Sequence, residues 1–205
     1  MDLIDNTILS AMFASSLTNK NALEIVKKKN FLSDEYIISR IDNLVKNGLV
    51  EQDKKSLSEL GRTSLRVVLA GGVFDIIHPG HIHTLNSAKS LGDALVVVVA
   101  TDKTAEKMKK RTPLHNQEQR KNLVESLSMV DLCLIGQEGD IFETVKKVKP
   151  EIIALGYDQV HQEKFITDGC HKLNLNVKVA RLQSPNPEIS SSNIEEKYGE
   201  DIHDL

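Results

Sequence analysis

His78 and His81 stand three residues apart, separated only by Pro79 and Gly80. Ile82, Leu85, Ala88 and Leu91 follow at helical spacing, which puts His81 near the first turn of a helix. That turn offers unpaired backbone N–H groups and the positive end of the helix dipole, a natural place for an anion. Two imidazoles at this spacing can face the same anion. The chemistry this arrangement suits is charge stabilisation on a phosphate. A second chemical feature lies downstream. Lys103, Lys107, Lys109, Lys110 and Arg111 place five cations within nine residues, against Glu106 alone. Near an anion site such a run reads as a triphosphate clamp, with the roles of its individual members left open.

The elements that must position these groups can be read from the surrounding pattern. Val67, Val68, Leu69 and Ala70 form a short unbroken apolar run, as expected of a strand buried on both faces of a parallel sheet. Gly71 and Gly72 end that strand and allow backbone to approach a ligand closely. From there the pattern alternates. Strands are expected at 67–70, 94–100, 132–135, 152–155 and 177–180, and helices at 81–91, 118–128, 140–148, 162–173 and from about Ser192. The basic run 103–111 falls in the loop after the second strand. Such alternation predicts an α/β fold, a doubly wound parallel sheet. Ligands of such sheets bind beyond the carboxyl ends of the strands. Those ends read Gly71-Gly72-Val73-Phe74-Asp75, Thr101-Asp102-Lys103, Gly136, and Gly156-Tyr157-Asp158-Gln159.

The run Gly71 to His81, GGVFDIIHPGH, resembles the first motif of the HxGH nucleotidylyltransferase superfamily, and the likeness extends over roughly residues 66–198. It implies a Rossmann-like fold and transfer of a nucleoside monophosphate from a nucleoside triphosphate to a phosphorylated acceptor. Catalytic roles fall on His78, His81 and Lys109. Nucleotide contacts are expected at Val73, Phe74, Pro79, Gly80, Arg120, Tyr157, Asp158, Ser190 and Ser191. Arg120 lies in Gln117–Lys121, which resembles a family helix motif whose arginine meets nucleotide phosphates. Ile189-Ser190-Ser191-Ser192 resembles the family's last motif, where hydroxyls and helix N–H groups hold phosphates. Mg²⁺ bridged through the substrate is implied, and the sequence shows no metal-ligand cluster.

Within the superfamily, the sequence from Val99 to Gln159 is most similar to archaeal-type FAD synthases. That likeness implies ATP and FMN as substrates. The alternatives are a cytidylyltransferase for a polyol phosphate such as glycerol 3-phosphate, and a ligand-sensing DNA-binding regulator. Glycerol-phosphate cytidylyltransferases carry Arg-Thr-Glu-Gly before the last motif. Here Pro185-Asn186-Pro187-Glu188 stand in that place, and the nearest basic residue upstream is Arg181.

Residues 1–65 read as a separate small domain. Leu3, Ile4, Ile8, Leu9 and Met12 mark one helix, and Asn21 caps a second running to about Lys29. Ser33-Asp34-Glu35 starts a third, closed by Asn47-Gly48. A hairpin is expected over Leu49–Gln52 and Ser56–Arg62. This order resembles a winged helix-turn-helix. The second domain then spans 66–205. Basic and acidic residues nearly balance in the first domain, which points to self-association or weak DNA contact rather than a basic DNA-binding stripe. A homodimer is expected.

Composition bounds the rest. The chain is 205 residues long and 40% hydrophobic with 4% aromatic residues, so its core is aliphatic. A net charge of −3 gives no global pull toward nucleic acid or membrane. Cys133 and Cys170 do not suggest a disulfide framework. No segment has the ~20 consecutive apolar residues of a membrane span, and the start shows no signal-peptide pattern, so a cytoplasmic setting is expected.

Overall fold

The computed structural model describes residues 2–157, 159–183, 194 and 197. Cα proximity divides the chain into two compact units, Met1–Arg66 with Gly92–Ala94, and Val67–Leu91 with Leu95–Leu205.

In the first unit, helix α1 (Leu3–Leu17) starts at Asp2, whose carboxylate accepts the Asp5 N–H at 2.9 Å. Its middle is buried through Ile8, Leu9, Met12 and Phe13. Helix α2 (Ala22–Lys29) is capped by Asn21 and α3 (Asp34–Lys46) by Ser33, the two cap residues expected from sequence. The third helix closes at Gly48 with φ of 72°, a left-handed conformation that glycine adopts without strain. The expected hairpin is reduced to one antiparallel bridge, Val50 with Leu57. Asp53 makes the turn between them by accepting the N–H groups of Lys55 and Ser56. Beyond the bridge the chain is helical, not extended. Ser58 caps α4 (Glu59–Ser64) by accepting the Gly61 N–H at 2.9 Å. Gly61 packs so closely that a Cβ there would lie 1.9 Å from the Leu49 carbonyl oxygen. A local cap and a close glycine contact therefore override the strand pattern.

The second unit is built on a parallel sheet. Its elements are β1 (Val67–Gly72), α5 (Pro79–Lys89), β2 (Ala94–Val99), α6 (Asp102–Lys109), α7 (Gln117–Glu125), β3 (Leu132–Ile135), α8 (Ile141–Val148), β4 (Ile152–Leu155), α9 (Val160–Lys172) and β5 (Lys178–Arg181). The strand order is β3-β2-β1-β4-β5. From β1 the chain winds outward to β2 and β3, then returns to the other side of β1 for β4 and β5. The switch point lies between β1 and β4, where Val68 pairs with Ile152 and Ala70 with Ala154. A ligand crevice is expected at the carboxyl ends of these strands. Val67, Val68, Leu69 and Ala70 are all buried, as a central parallel strand requires. The core on one face adds Leu85 and Ala88 of α5, Leu95 and Val97 of β2, and Val124 of α7.

The basic run differs from its expected form. Residues 102–109 are helix α6, begun by Thr101, whose hydroxyl accepts the Thr104 N–H, and ended by Lys110 in the left-handed region. The cap residue and buried Ala105 support a helix that the density of lysines obscured. Of the helix expected from Ser192, only residues 194 and 197 are among the described residues, and both are helical. No described helix is long and apolar enough to cross a membrane.

Candidate active site

The loop leaving β1 is shaped by one glycine and one strained residue. A Cβ on Gly72 would stand 2.9 Å from the Phe74 ring, so the ring can sit there only over glycine. Phe74 has φ of 55°. Non-glycine residues rarely hold this conformation, and its cost of about 1–2 kcal/mol must be met by surrounding structure. The buried Phe74 ring lies 5.1 Å from the His81 ring, centroid to centroid.

His78 is the N-cap of α5 and Pro79 its first residue, where the missing N–H costs nothing. The His81 N–H donates to the His78 carbonyl at 2.9 Å. This first turn brings the two imidazoles together at 3.9 Å, tilted by 35°. The Nδ1 atoms of both rings are buried and have no hydrogen-bond partner. Burial, then the neighbouring charges of His78 and Lys109, hold the His81 imidazole down to about 4, against the raising effect of a bond with the Ile76 backbone. Burial and the Lys109 charge also lower His78. Without an anion, both rings are therefore neutral near pH 7, and Lys109 is close enough to act on each. The structure thus brings the two histidines together, with the Lys109 charge in electrostatic reach of both.

The other expected residues are placed unevenly. Val73 and Phe74 are buried in the β1–α5 loop, Pro79 is exposed, and Gly80 lies between these extremes. Tyr157 follows β4 directly, beside Gly156, whose N–H donates to Gln159 Oε1 at 2.8 Å. Asp158, Ser190 and Ser191 lie outside the described residues.

Arg120 differs from its expected role at the nucleotide phosphates. It is fully buried, and each of its three nitrogens is engaged inside the fold. Nε donates to the His115 carbonyl at 2.9 Å, Nη1 to the Val73 carbonyl at 2.7 Å, and Nη2 to Asp102 Oδ1 at 2.7 Å. The basic run is also divided. Lys103 pairs with Glu138 at 2.8 Å, and Arg111 pairs with Asp75 at 3.0 Å.

Sequence reasoning gave no role to Asp75, Asp102 or His115, and it placed Arg111 only in the basic run read as a triphosphate clamp, not at Asp75. Asp75 is 1% exposed and accepts bonds from Arg111 Nη1 and from the N–H groups of Leu114 and His115. Burial pushes its carboxyl up, but those N–H groups and Arg111 outweigh burial and hold it below the ordinary carboxylate range. The available signal was Asp75 itself, a carboxylate inside an otherwise apolar motif. Among the described residues no cluster of three or more His, Cys, Asp or Glu is placed to hold a metal. Asp75 and Asp102, the carboxylates of this region, are already engaged with arginines.

A sheet with its switch point beside β1, and paired histidines on the helix that follows, define a nucleotidylyltransferase. The family described as cytidylyltransferase-like matches residues 69–197, and this chain belongs to it. Among curated relatives the chain is 50% identical to the FAD synthase of Picrophilus torridus over 125 residues, which is 61% of this chain and 89% of that protein. It is 50% identical to the FAD synthase of Aciduliprofundum boonei over 116 residues, 57% of this chain and 77% of the relative. A solved structure from Thermoplasma volcanium, titled a lipopolysaccharide core biosynthesis protein, matches with a TM-score of 0.56 and 45% identity. That match covers 58% of this chain and 98% of the other.

Proposed function

We infer that this chain is an FAD synthase, transferring AMP from ATP to FMN with release of pyrophosphate. The observation that carries the reading is its 50% identity to curated FAD synthases, and the paired histidines fall within the family match over residues 69–197. The chemistry fits the site. A phosphate monoester has a second pKa of ~6 and is largely ionised near neutral pH, so FMN needs no general base. One of its phosphate oxygens attacks the α-phosphorus of ATP in line. The bond from that phosphorus to the bridging β-oxygen breaks, and pyrophosphate leaves with the electron pair. Negative charge grows on the oxygens around the α-phosphorus and on the leaving group. Neutral His78 and His81 donate N–H bonds there, and Lys109 adds positive charge. The N-terminus of α5 supplies further N–H groups.

Nucleotide contacts are assigned to Val73, Phe74, Pro79, Gly80, Tyr157, Asp158, Ser190 and Ser191. ATP arrives as its Mg²⁺ complex, the ion being held by phosphates and water. We place the reaction in the cytoplasm and the enzyme as a homodimer. Residues 1–65 are read as a winged-helix-like unit for self-association or weak DNA contact.

Parallel incubations with ATP or CTP, and with FMN or glycerol 3-phosphate, test the reaction by chromatography of the products. FAD and pyrophosphate are expected from ATP with FMN. CDP-glycerol without FAD would overturn the reading in favour of a cytidylyltransferase. Absence of both products would point to a sensor.

A further inference from the structure

The connection between α6 and α7 joins Lys109 to Arg120 and runs directly against the histidine loop. None of residues 111–116 is buried, so apolar packing does not fix this segment. Two buried charges do. Asp75, in the β1–α5 loop, accepts from Arg111 Nη1 at 3.0 Å, Leu114 N–H at 3.1 Å and His115 N–H at 3.0 Å. The Asp75 carbonyl also meets His115 Nδ1 at 3.0 Å, which makes Nδ1 the protonated nitrogen of that ring. Arg120, in α7, grips the same segment from its other end through the His115 carbonyl. Its Nη1 then reaches the Val73 carbonyl, two residues before Asp75 in the histidine loop. Nη2 is anchored on Asp102 at the start of α6. Both ends of the clasp thus land on the loop that leads into His78.

We propose that Asp75 and Arg120 are positioning residues for the transfer reaction, clasping segment 111–116 to the histidine loop so that Lys109 and the two imidazoles keep one relative geometry. The proposal rests on the reading of this site as the nucleotidyl-transfer centre. A purely structural explanation fits the facts less well, because apolar residues of similar volume generally stabilise a core as well as a buried ion pair does. What the charges add is direction. Asp75 selects two particular backbone N–H groups and Arg120 two particular carbonyls, and a 1 Å misplacement of a reacting group can cost ~10²-fold in rate.

The test is Asp75→Asn in the full-length protein. The change keeps the side chain's shape but replaces one acceptor oxygen with a donor. Amide hydrogen exchange over residues 111–116 reads the clasp directly. Expected are faster exchange there, a fall in kcat per folded molecule of ~10²-fold, and an unchanged KM for the acceptor. Asp102→Asn is the second variant, because the Asp102 side chain is 41% exposed and its loss opens no cavity. It should lower kcat in the same direction by a smaller factor, and it keeps the test readable if Asp75→Asn does not fold. Faster exchange with unchanged kcat would overturn the proposal, and so would unchanged exchange. A structural role alone would lower the melting temperature and leave kcat per folded molecule intact. Activity is measured with whichever acceptor the wild-type protein turns over. A wild type that turns over an acceptor other than FMN counts against the FAD reading alone.

Discussion

Of the two paired imidazoles, His81 is the one whose protonation the fold shifts strongly. His81 is held at about 4, chiefly by burial and then by the charges of His78 and Lys109. The unfolded chain takes up a proton at His81 near its ordinary 6.5, whereas the folded chain resists until about 4. Between these values the unfolded state binds more protons, so stability falls as pH drops through this window, by up to ~3 kcal/mol. His81→Asn should flatten that loss, which thermal melts at pH 7 and pH 5 would read. An anion reverses the balance, because negative charge beside a histidine favours its protonated form. Binding of Mg²⁺-ATP near pH 5.5 should therefore draw protons from solvent, and less so in His81→Asn. Calorimetric titration in two buffers of different ionisation enthalpy measures this directly, and zero uptake by the wild type would count against histidine–phosphate contact. At neutral pH, His78→Ala and His81→Ala should each lower kcat by ~10²–10³-fold, the usual cost of losing one preorganised donor. Folded variants with near-normal turnover would refute the mechanism.

At the scale of the element, the β1–α5 loop depends on the absence of a side chain at Gly72. In Gly72→Ala the new methyl would meet Phe74 at 2.9 Å. The ring must shift, and it borders His81. Overpacking of this kind costs about 1–3 kcal/mol, so a lower melting temperature and reduced kcat are expected together. A variant of normal stability and activity would show that the ring does not need that seat. Much of this element was legible beforehand. The apolar run 67–70 and the helical spacing after His81 each report a local cause. The caps at Asn21 and Ser33 were legible for the same reason. Helix α6 was obscured because its lysines hide the single buried face at Ala105. The roles of Asp75 and Arg120 were not legible at all. The partners of the Asp75 carboxylate lie 36–40 residues away at Arg111, Leu114 and His115, and Arg120 reaches Asp102 and Val73, 18 and 47 residues away; no short-range pattern encodes such pairings. The second hairpin arm failed for the opposite reason, since a local serine cap at Ser58 outweighed an extended pattern.

At the scale of the whole molecule, the two units carry different electrostatics. Several cations of the first unit are matched within it. Lys27 pairs with Asp34 at 2.8 Å, Lys54 with Asp42 at 2.7 Å, and Arg40 with Asp2 and Asp5. Matched cations neutralise few phosphates, so titration of the full chain with duplex DNA should show weak binding that falls steeply with salt. Nanomolar, sequence-selective affinity at physiological salt would overturn that expectation. The sheet order carries a different consequence, one of timing. β1 lies at the centre, and its partner β4 is made more than eighty residues later, with Val68 against Ile152. A nascent chain that has emerged only through β3 leaves one edge of β1 bare, although the histidine motif is already complete. Long-range parallel pairings of this kind close slowly because the intervening loop must first be ordered. During synthesis or refolding, helices should therefore be detectable well before turnover, and the catalytic loop should be among the last parts of the enzyme to mature.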